Sequence, residues 1–109
     1  MTWSVEYTRT AERDLRGILD YISIELAEPV TARRLARLII GEIAKLSEMP
    51  ERFRLFDEEP WRSMGLRQFA VKNYLVFYMP VEARRTVYIV RIFYGGRDIR
   101  RQLEGIELP

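Results

Sequence analysis

The sequence predicts an α+β fold: an N-terminal strand and a two-helix antiparallel hairpin packed on an antiparallel sheet, in the order β-α-α-β-β-β. Two observations predict it. Apolar residues recur at helical spacing between residues 11 and 46, and they alternate at period two from residue 66 to residue 94. The length of 109 residues is that of one domain, and 48% hydrophobic residues suffice for a single core.

The first half of the chain contains the helices. A short strand, WSVEY (3–7), precedes Thr8 or Thr10 as the cap of the first helix. Pro29 ends this helix and suits the first turn of the next one, which Met49-Pro50 ends. The apolar stripe of the first helix comprises Ala11, Leu15, Ile18, Leu19, Ile22 and Leu26, and that of the second comprises Leu35, Leu38, Ile39, Ile43 and Leu46.

The second half contains three strands, 66–71, 74–81 and 86–94, rich in Val, Ile, Tyr and Phe. Lys72-Asn73 predicts a tight turn in which Asn73 takes the positive φ, and residues 82–85 form the second turn. Such short turns make the strands antiparallel neighbours. Gly95-Gly96 ends the last strand, and residues 98–103 are compatible with a short terminal helix.

Residues 51–64 have no clean period, and we expect a loop with Phe53, Phe56 and Trp61 against the core. Both faces of the predicted sheet are apolar, and the helix hairpin covers one of them. We therefore expect the other face to be left for a partner. Alternation assigns the faces of two strands: Tyr74, Val76 and Tyr78 opposite Leu75, Phe77 and Met79, and Val87, Ile89, Arg91 and Phe93 opposite Tyr88, Val90, Ile92 and Tyr94.

Composition excludes several kinds of site. The chain has no Cys, which excludes disulfides and thiolate metal sites, and no His, which removes the commonest general base and metal ligand. We expect no cofactor. The N-terminal residues have no apolar segment of signal-peptide type, and no run approaches the length that crosses a bilayer. We therefore expect a cytoplasmic protein without a membrane partner.

Charge is distributed unevenly along the chain. Residues 1–60 carry nine basic and twelve acidic groups, whereas residues 61–109 carry nine basic and four acidic groups. Sixteen of the eighteen cations are Arg, whose planar fork suits carboxylate and phosphate. The basic second half predicts an anionic partner, either a nucleic acid or an acidic peptide.

Three segments resemble the RelE/ParE superfamily of type II toxins. They are the A-x-x-D-L-x-x-I-x-x-Y-I pattern of residues 11–22, NYLVFY (73–78) and VYIVRIFYGGRDI (87–99). The two strand segments are more specific than the helical pattern, and the resemblance covers nearly the whole chain. It implies a small bacterial toxin that is neutralised by a tightly bound, acidic, partly disordered antitoxin encoded beside it.

The superfamily has two activities. ParE-like toxins bind and inhibit DNA gyrase, and RelE-like toxins are endoribonucleases that cleave mRNA on the ribosome. The NYLVFY strand and the G-x-R-D-I tail are more similar to ParE, so we expect gyrase inhibition. The alternative is a RelE-like ribonuclease. Where many ParE relatives carry His, this chain has Tyr94-Gly95-Gly96.

RNA cleavage by the substrate's own 2′-hydroxyl needs a base, an acid and cations that stabilise the phosphorane. Arg67, Arg91, Arg97 and Lys72 could supply the cations, and Tyr94 could be the acid, although an ordinary Tyr titrates near pH ~10. If the chain is a ribonuclease, we expect Arg67, Arg91 and Tyr94 to converge on one concave site. The absence of His favours a toxin that acts by binding.

We expect a partner-binding set near the last hairpin, which comprises Arg67, Arg91, Tyr94, Arg97, Arg100 and Arg101. Arg91 has a structural alternative, since it could pair with Asp98 or with carbonyls at the strand end while its stem packs on Phe93. A third hypothesis is a nucleic-acid-binding module without toxic action. The sequence leaves the oligomeric state open, including a homo-oligomer.

Overall fold

The computed structural model describes residues 2–96 and 98–109. The elements are β1 Ser4–Tyr7, α1 Arg9–Asp20, α2 Pro29–Ala44, α3 Trp61–Met64, β2 Arg67–Val71, β3 Tyr74–Val81, β4 Thr86–Tyr94 and α4 Ile99–Leu103. A π-helical turn, Tyr21–Glu25, extends α1. The four-stranded sheet has the order β1-β4-β3-β2, with helices before and after the hairpin strands.

The predicted α+β fold is confirmed, and β2, β3 and β4 are antiparallel neighbours as expected. The N-terminal strand departs from the predicted antiparallel arrangement. β1 lies beside β4 and parallel to it, with Ser4 opposite Thr86 and Tyr7 opposite Ile89. The sheet is therefore mixed, because the helix hairpin returns the chain across the sheet before β2 begins.

Local sequence signals set most of the element ends. Thr8 is the N-cap of α1, and its hydroxyl accepts the amide N–H of Ala11 at 3.1 Å. Pro29 opens α2 as predicted. Asn73 was expected to take the positive φ of the β2–β3 turn. This prediction is wrong, because Lys72 takes the left-handed conformation, with φ of 55°.

Two apolar cores lie on opposite faces of the sheet. The helix-side core packs Ile39, Ile43 and Leu46 of the α2 region against strand residues such as Val76 and Ile89. The second core surrounds Phe77 on the other face. It comprises Phe56, Trp61, Leu66, Phe77, Met79, Val90, Phe93 and Leu103, with Ile99, Ile106 and Leu108 packed against it.

The expectation of an uncovered sheet face is therefore wrong. The 51–64 segment, which contains the short helix α3, and the C-terminal segment with α4 cover that face with the chain's own residues. Neither segment showed a periodicity long enough to be assigned to a layer.

A register shift in the β3–β4 pair changes the faces predicted for β4. Phe77 lies opposite Arg91, whereas Tyr78 lies opposite Ile89, so Val90 is the extra residue of a bulge. Ile89 and Ile92 then share the helix-side core, while Val90 and Phe93 belong to the second core. Strict alternation had placed Ile89 and Phe93 together, which is wrong for this reason.

Among the described residues, no helix is long and apolar enough to span a membrane.

Candidate functional site

A groove of about 760 Å³ opens between α1 and the C-terminal half of β4. It exists because β1 stops pairing with β4 at Ile89, while β4 continues to Tyr94. The backbone N–H of Thr8 donates to the carbonyl of Ile89 at 3.0 Å, and α1 then leaves the sheet. The α1–β4 groove is lined by Arg13, Asp14, Gly17, Ile18, Tyr21, Tyr74, Arg91, Ile92, Phe93 and Tyr94.

Asp14 binds the edge of β4 within this groove. Its Oδ2 accepts the backbone N–H of Ile92 at 2.9 Å and the Nε–H of Arg91 at 2.7 Å. Its Oδ1 accepts an Nη2–H of Arg91 at 3.2 Å. One side-chain carboxylate thus takes the place that a neighbouring strand would occupy at this amide.

Arg91 connects this carboxylate to α4. Its Nη1–H donates to the backbone carbonyl of Gln102 at 2.6 Å, and its guanidinium lies 5.2 Å from the ring centre of Phe93. The side chains of Arg91 and Asp14 are 15% and 16% exposed. Arg91 therefore pairs with Asp14 and not with Asp98, which instead caps α4 by accepting the N–H of Arg101. The contact with Phe93 is made by the guanidinium, where the sequence analysis expected the stem of the side chain.

Three tyrosines surround the groove. The rings of Tyr74 and Tyr94 meet edge to face, with centroids 5.7 Å apart, and Tyr21 and Tyr94 are each about half exposed. Burial raises the pKa of Tyr74, and charge repulsion from Tyr94 and Tyr21 adds to this effect. The Tyr74 phenol is therefore neutral at physiological pH and can donate or accept a hydrogen bond.

Gly17 lines the groove from the middle of α1. A Cβ at this position would meet no atom within 4 Å, so the packing of the chain itself does not require glycine. A glycine inside a helix costs about 1 kcal/mol relative to alanine. The absence of a side chain keeps the groove open to an incoming backbone or side chain.

The chemistry of the groove favours binding over proton transfer. Asp14 already accepts three hydrogen bonds, and Arg91 donates four hydrogen bonds to Asp14 and Gln102. No group of three metal-ligating side chains is present in residues 2–96 and 98–109. What the groove offers is aromatic and aliphatic surface, together with the cation of Arg13.

A family model of the ParE toxin of type II toxin-antitoxin systems matches residues 5–99. The chain belongs to the ParE toxin family. The expected membership of the RelE/ParE superfamily is thereby confirmed. A comparison with curated proteins found no significant match for the sequence.

Solved structures share the fold of this ParE-family toxin. A chain of the chromosomal ParDE system from P. aeruginosa aligns with a TM-score of 0.68 and 22% identity, covering 85% of this chain and 96% of that one. The RelBE2 toxin-antitoxin complex from M. tuberculosis gives 0.59 and 22%, covering 86% and 92%. The isolated RelE toxin of E. coli gives 0.59 and 10%, covering 92% of each chain.

The structure brings together only part of the predicted site of the ParE-family toxin. Arg91 and Tyr94 both line the groove, whereas Arg67 lies two strands away on β2. Arg67 lies opposite Tyr78, whereas Tyr94 lies opposite Tyr74, four residues away on β3. The two positions are therefore roughly 13 Å apart along the strand direction, in addition to the spacing of two strands. The three side chains expected for a ribonuclease do not converge.

Two of the other predicted cations have internal partners. Arg67 donates to the carbonyl of Phe53 at 2.6 Å and contacts Glu51 at 3.4 Å. Arg100 pairs with Glu58 at 2.7 Å and lies over the ring of Trp61. Arg101 is exposed on α4. The prediction for Arg97 falls outside the described residues.

The helical layer holds a different set of arginines. In the part of the chain that the structure describes, six arginines of α1 and α2 make no ion pair. The sequence analysis had instead placed the binding cations near the last hairpin. The six are Arg9, Arg13, Arg16, Arg33, Arg34 and Arg37.

Sequence reasoning missed Asp14, Gly17 and Tyr21 as residues of the site. Asp14 lay in the family pattern of residues 11–22 but was given no role in the site. Gly17 gave a usable signal, since a glycine in the middle of an amphipathic helix needs a reason outside helix formation. Tyr21 lay in the family pattern of residues 11–22 but was not singled out.

Proposed function

We propose that this ParE-family toxin acts by binding DNA gyrase and inhibiting it, without cutting nucleic acid. The observation that carries the proposal is the ion pair of Asp14 and Arg91 in the groove. Because each group is committed to the other, neither is placed to exchange a proton with a substrate or to stabilise a phosphorane. The family match over residues 5–99 supports the same proposal.

We further propose that an acidic antitoxin neutralises the toxin by occupying the α1–β4 groove. Tyrosine rings and Ile18 offer apolar contacts, and Arg13 lies where a carboxylate of the partner could reach it. Arg9 and Arg16 add positive charge to α1, the helix that forms one wall of the groove. An extended or helical segment laid along α1 and the free end of β4 would use both features. The similar P. aeruginosa and M. tuberculosis structures are toxin-antitoxin systems, which supports such a partner.

The alternative of a RelE-like ribonuclease has less support. Similarity to the isolated RelE toxin of E. coli concerns the fold, at 10% identity. The cations expected to act on the phosphate, Arg67 and Arg91, are bound to Phe53, Asp14 and Gln102. A toxin that binds its target needs neither of them to be available.

A titration against two targets tests the proposal. Purified toxin is added to DNA gyrase in a supercoiling assay and to translating ribosomes carrying a defined mRNA. The matched control is the same toxin mixed beforehand with the product of the adjacent open reading frame. We expect loss of supercoiling at near-stoichiometric toxin, intact mRNA, and no effect of the control mixture. Full supercoiling at excess toxin, or cleavage of the mRNA, would reject gyrase as the target.

A further inference from the structure

The turn between the two helices carries a patch of exposed apolar side chains. We call residues 20–30 the hairpin tip. Ile24 is 70% exposed, and Tyr21, Leu26 and Val30 are each more than half exposed. Single exposed apolar residues are ordinary on a protein surface, but four within ten residues form a patch. Ile22 is buried and attaches the hairpin tip to the rest of the fold.

The backbone of the hairpin tip is unusual in two ways. Tyr21–Glu25 forms a π-helical turn, a feature that occurs frequently at functional sites. Ala27 has φ of 53°, in the left-handed region that an L-residue with a Cβ adopts only at a cost. Ile24 lies within this segment and Leu26 directly follows the π-helical turn, and both are exposed, so their apolar side chains contribute little to the core.

The charge of the hairpin tip selects the kind of partner. Residues 20–30 contain Asp20, Glu25 and Glu28 and no basic residue, although the whole chain has a net charge of +2. All three carboxylates are exposed, and none forms an ion pair within residues 2–96 and 98–109. The negative charge of the hairpin tip repels nucleic acid and an acidic antitoxin.

We infer that the hairpin tip contacts the target protein of the toxin, and that it fits an apolar pocket rimmed by Lys or Arg. This inference rests on the proposed function, because it requires a protein target. It separates two surfaces by charge: the groove with Arg13 for an acidic partner, and the hairpin tip for a basic one. Tyr21 belongs to both, so an antitoxin in the groove would lie next to the target contact.

A set of surface variants tests the inference. The double variant Ile24→Ser/Leu26→Ser removes the apolar contact, and Glu25→Lys/Glu28→Lys reverses the charge without touching the core. Met49→Ser/Met64→Ser is the matched control, because both methionines are more than half exposed outside the hairpin tip. Thermal unfolding and antitoxin binding establish that each variant folds, and the charge variant keeps the test valid if the serine variant does not fold.

Gyrase inhibition and growth arrest on expression are the readouts. We expect both hairpin-tip variants to need about tenfold more protein for half-maximal inhibition, with the control and all antitoxin affinities within about twofold of the original chain. Equal inhibition by the folded hairpin-tip variants would overturn the inference and leave the proposed function standing. If the original chain arrests growth without inhibiting gyrase, the proposed target fails. Loss of arrest in the hairpin-tip variants would then still support the inference, and unchanged arrest would overturn it.

Two other outcomes also overturn the inference about the hairpin tip. A chain that neither inhibits gyrase nor arrests growth removes both proposals. Sedimentation that finds a dimer for the original chain and a monomer for Ile24→Ser/Leu26→Ser would assign the patch to a second copy of this chain.

Discussion

The carboxylate of Asp14 accepts the Nε–H of Arg91 at 2.7 Å, which ties helix α1 to strand β4. Because the same guanidinium donates to the carbonyl of Gln102 in α4, one side chain joins three elements. We expect Asp14→Asn to lower the free energy of unfolding by about 3 kcal/mol, since it leaves a mostly buried cation without its partner. Urea denaturation measures the loss.

Glu12→Gln is the matched control for this prediction, because Glu12 is exposed on the same helix and makes no ion pair with a described residue. It should change the unfolding free energy by less than about 0.5 kcal/mol. An Asp14→Asn variant as stable as Glu12→Gln would contradict the structural role assigned to the pair.

The Thr8 hydroxyl makes two hydrogen bonds at the start of α1. It accepts the Ala11 N–H and lies 3.3 Å from the carbonyl of Val90, to which it can donate. Replacement by Ala should cost about 1 kcal/mol in unfolding free energy, and replacement by Ser should cost clearly less, because Ser keeps the hydroxyl. Thermal unfolding of the two variants tests the assignment, which fails if Ser and Ala are equally destabilising.

Because the pKa of Tyr74 is raised, the stability of the fold varies with pH in the alkaline range. Because folding favours the neutral phenol, its contribution is complete below the ordinary pKa of 10.0 and is lost as pH rises through the higher pKa of the folded state. We expect the stability of the Tyr74→Phe variant to fall less than that of the original chain when pH is raised through this range, because Phe has no proton to lose. Urea midpoints measured on both sides of pH 10 provide the comparison, and parallel curves would show that Tyr74 titrates normally.

Local signals predicted most of the fold. The Thr8 cap, Pro29 at the start of α2 and the bounds of β3 and β4 follow from the neighbouring residues, and the structure has them as expected. The bulge at Val90 left no sign in a sequence whose strand residues are apolar on both faces, so alternation failed there. Phe56 and Trp61 pack against a core as expected, but the sequence did not show that they cover the second sheet face, because the segments that do so are short and irregular.

The site was less predictable than the fold. Arg91 was correctly singled out as a charge needing an explanation, but its partner lies 77 residues away on another element. Only the packing of α1 beside the free end of β4 brings Asp14 to it. For the same reason, the unpaired arginines could not be told from the paired ones: Arg67 and Arg100 have carboxylate neighbours supplied by the irregular 51–64 segment.

The central claim is that the α1–β4 groove of this ParE-family toxin binds the antitoxin, and a pair of glycine variants tests it most directly. Gly17 and Gly41 both lie inside helices where a Cβ would meet nothing within 4 Å, but only Gly17 lines the groove. We therefore measure antitoxin affinity by calorimetry for Gly17→Leu and Gly41→Leu. The account predicts a loss of about tenfold or more for Gly17→Leu and little change for Gly41→Leu. Equal affinities for the two folded variants would contradict it.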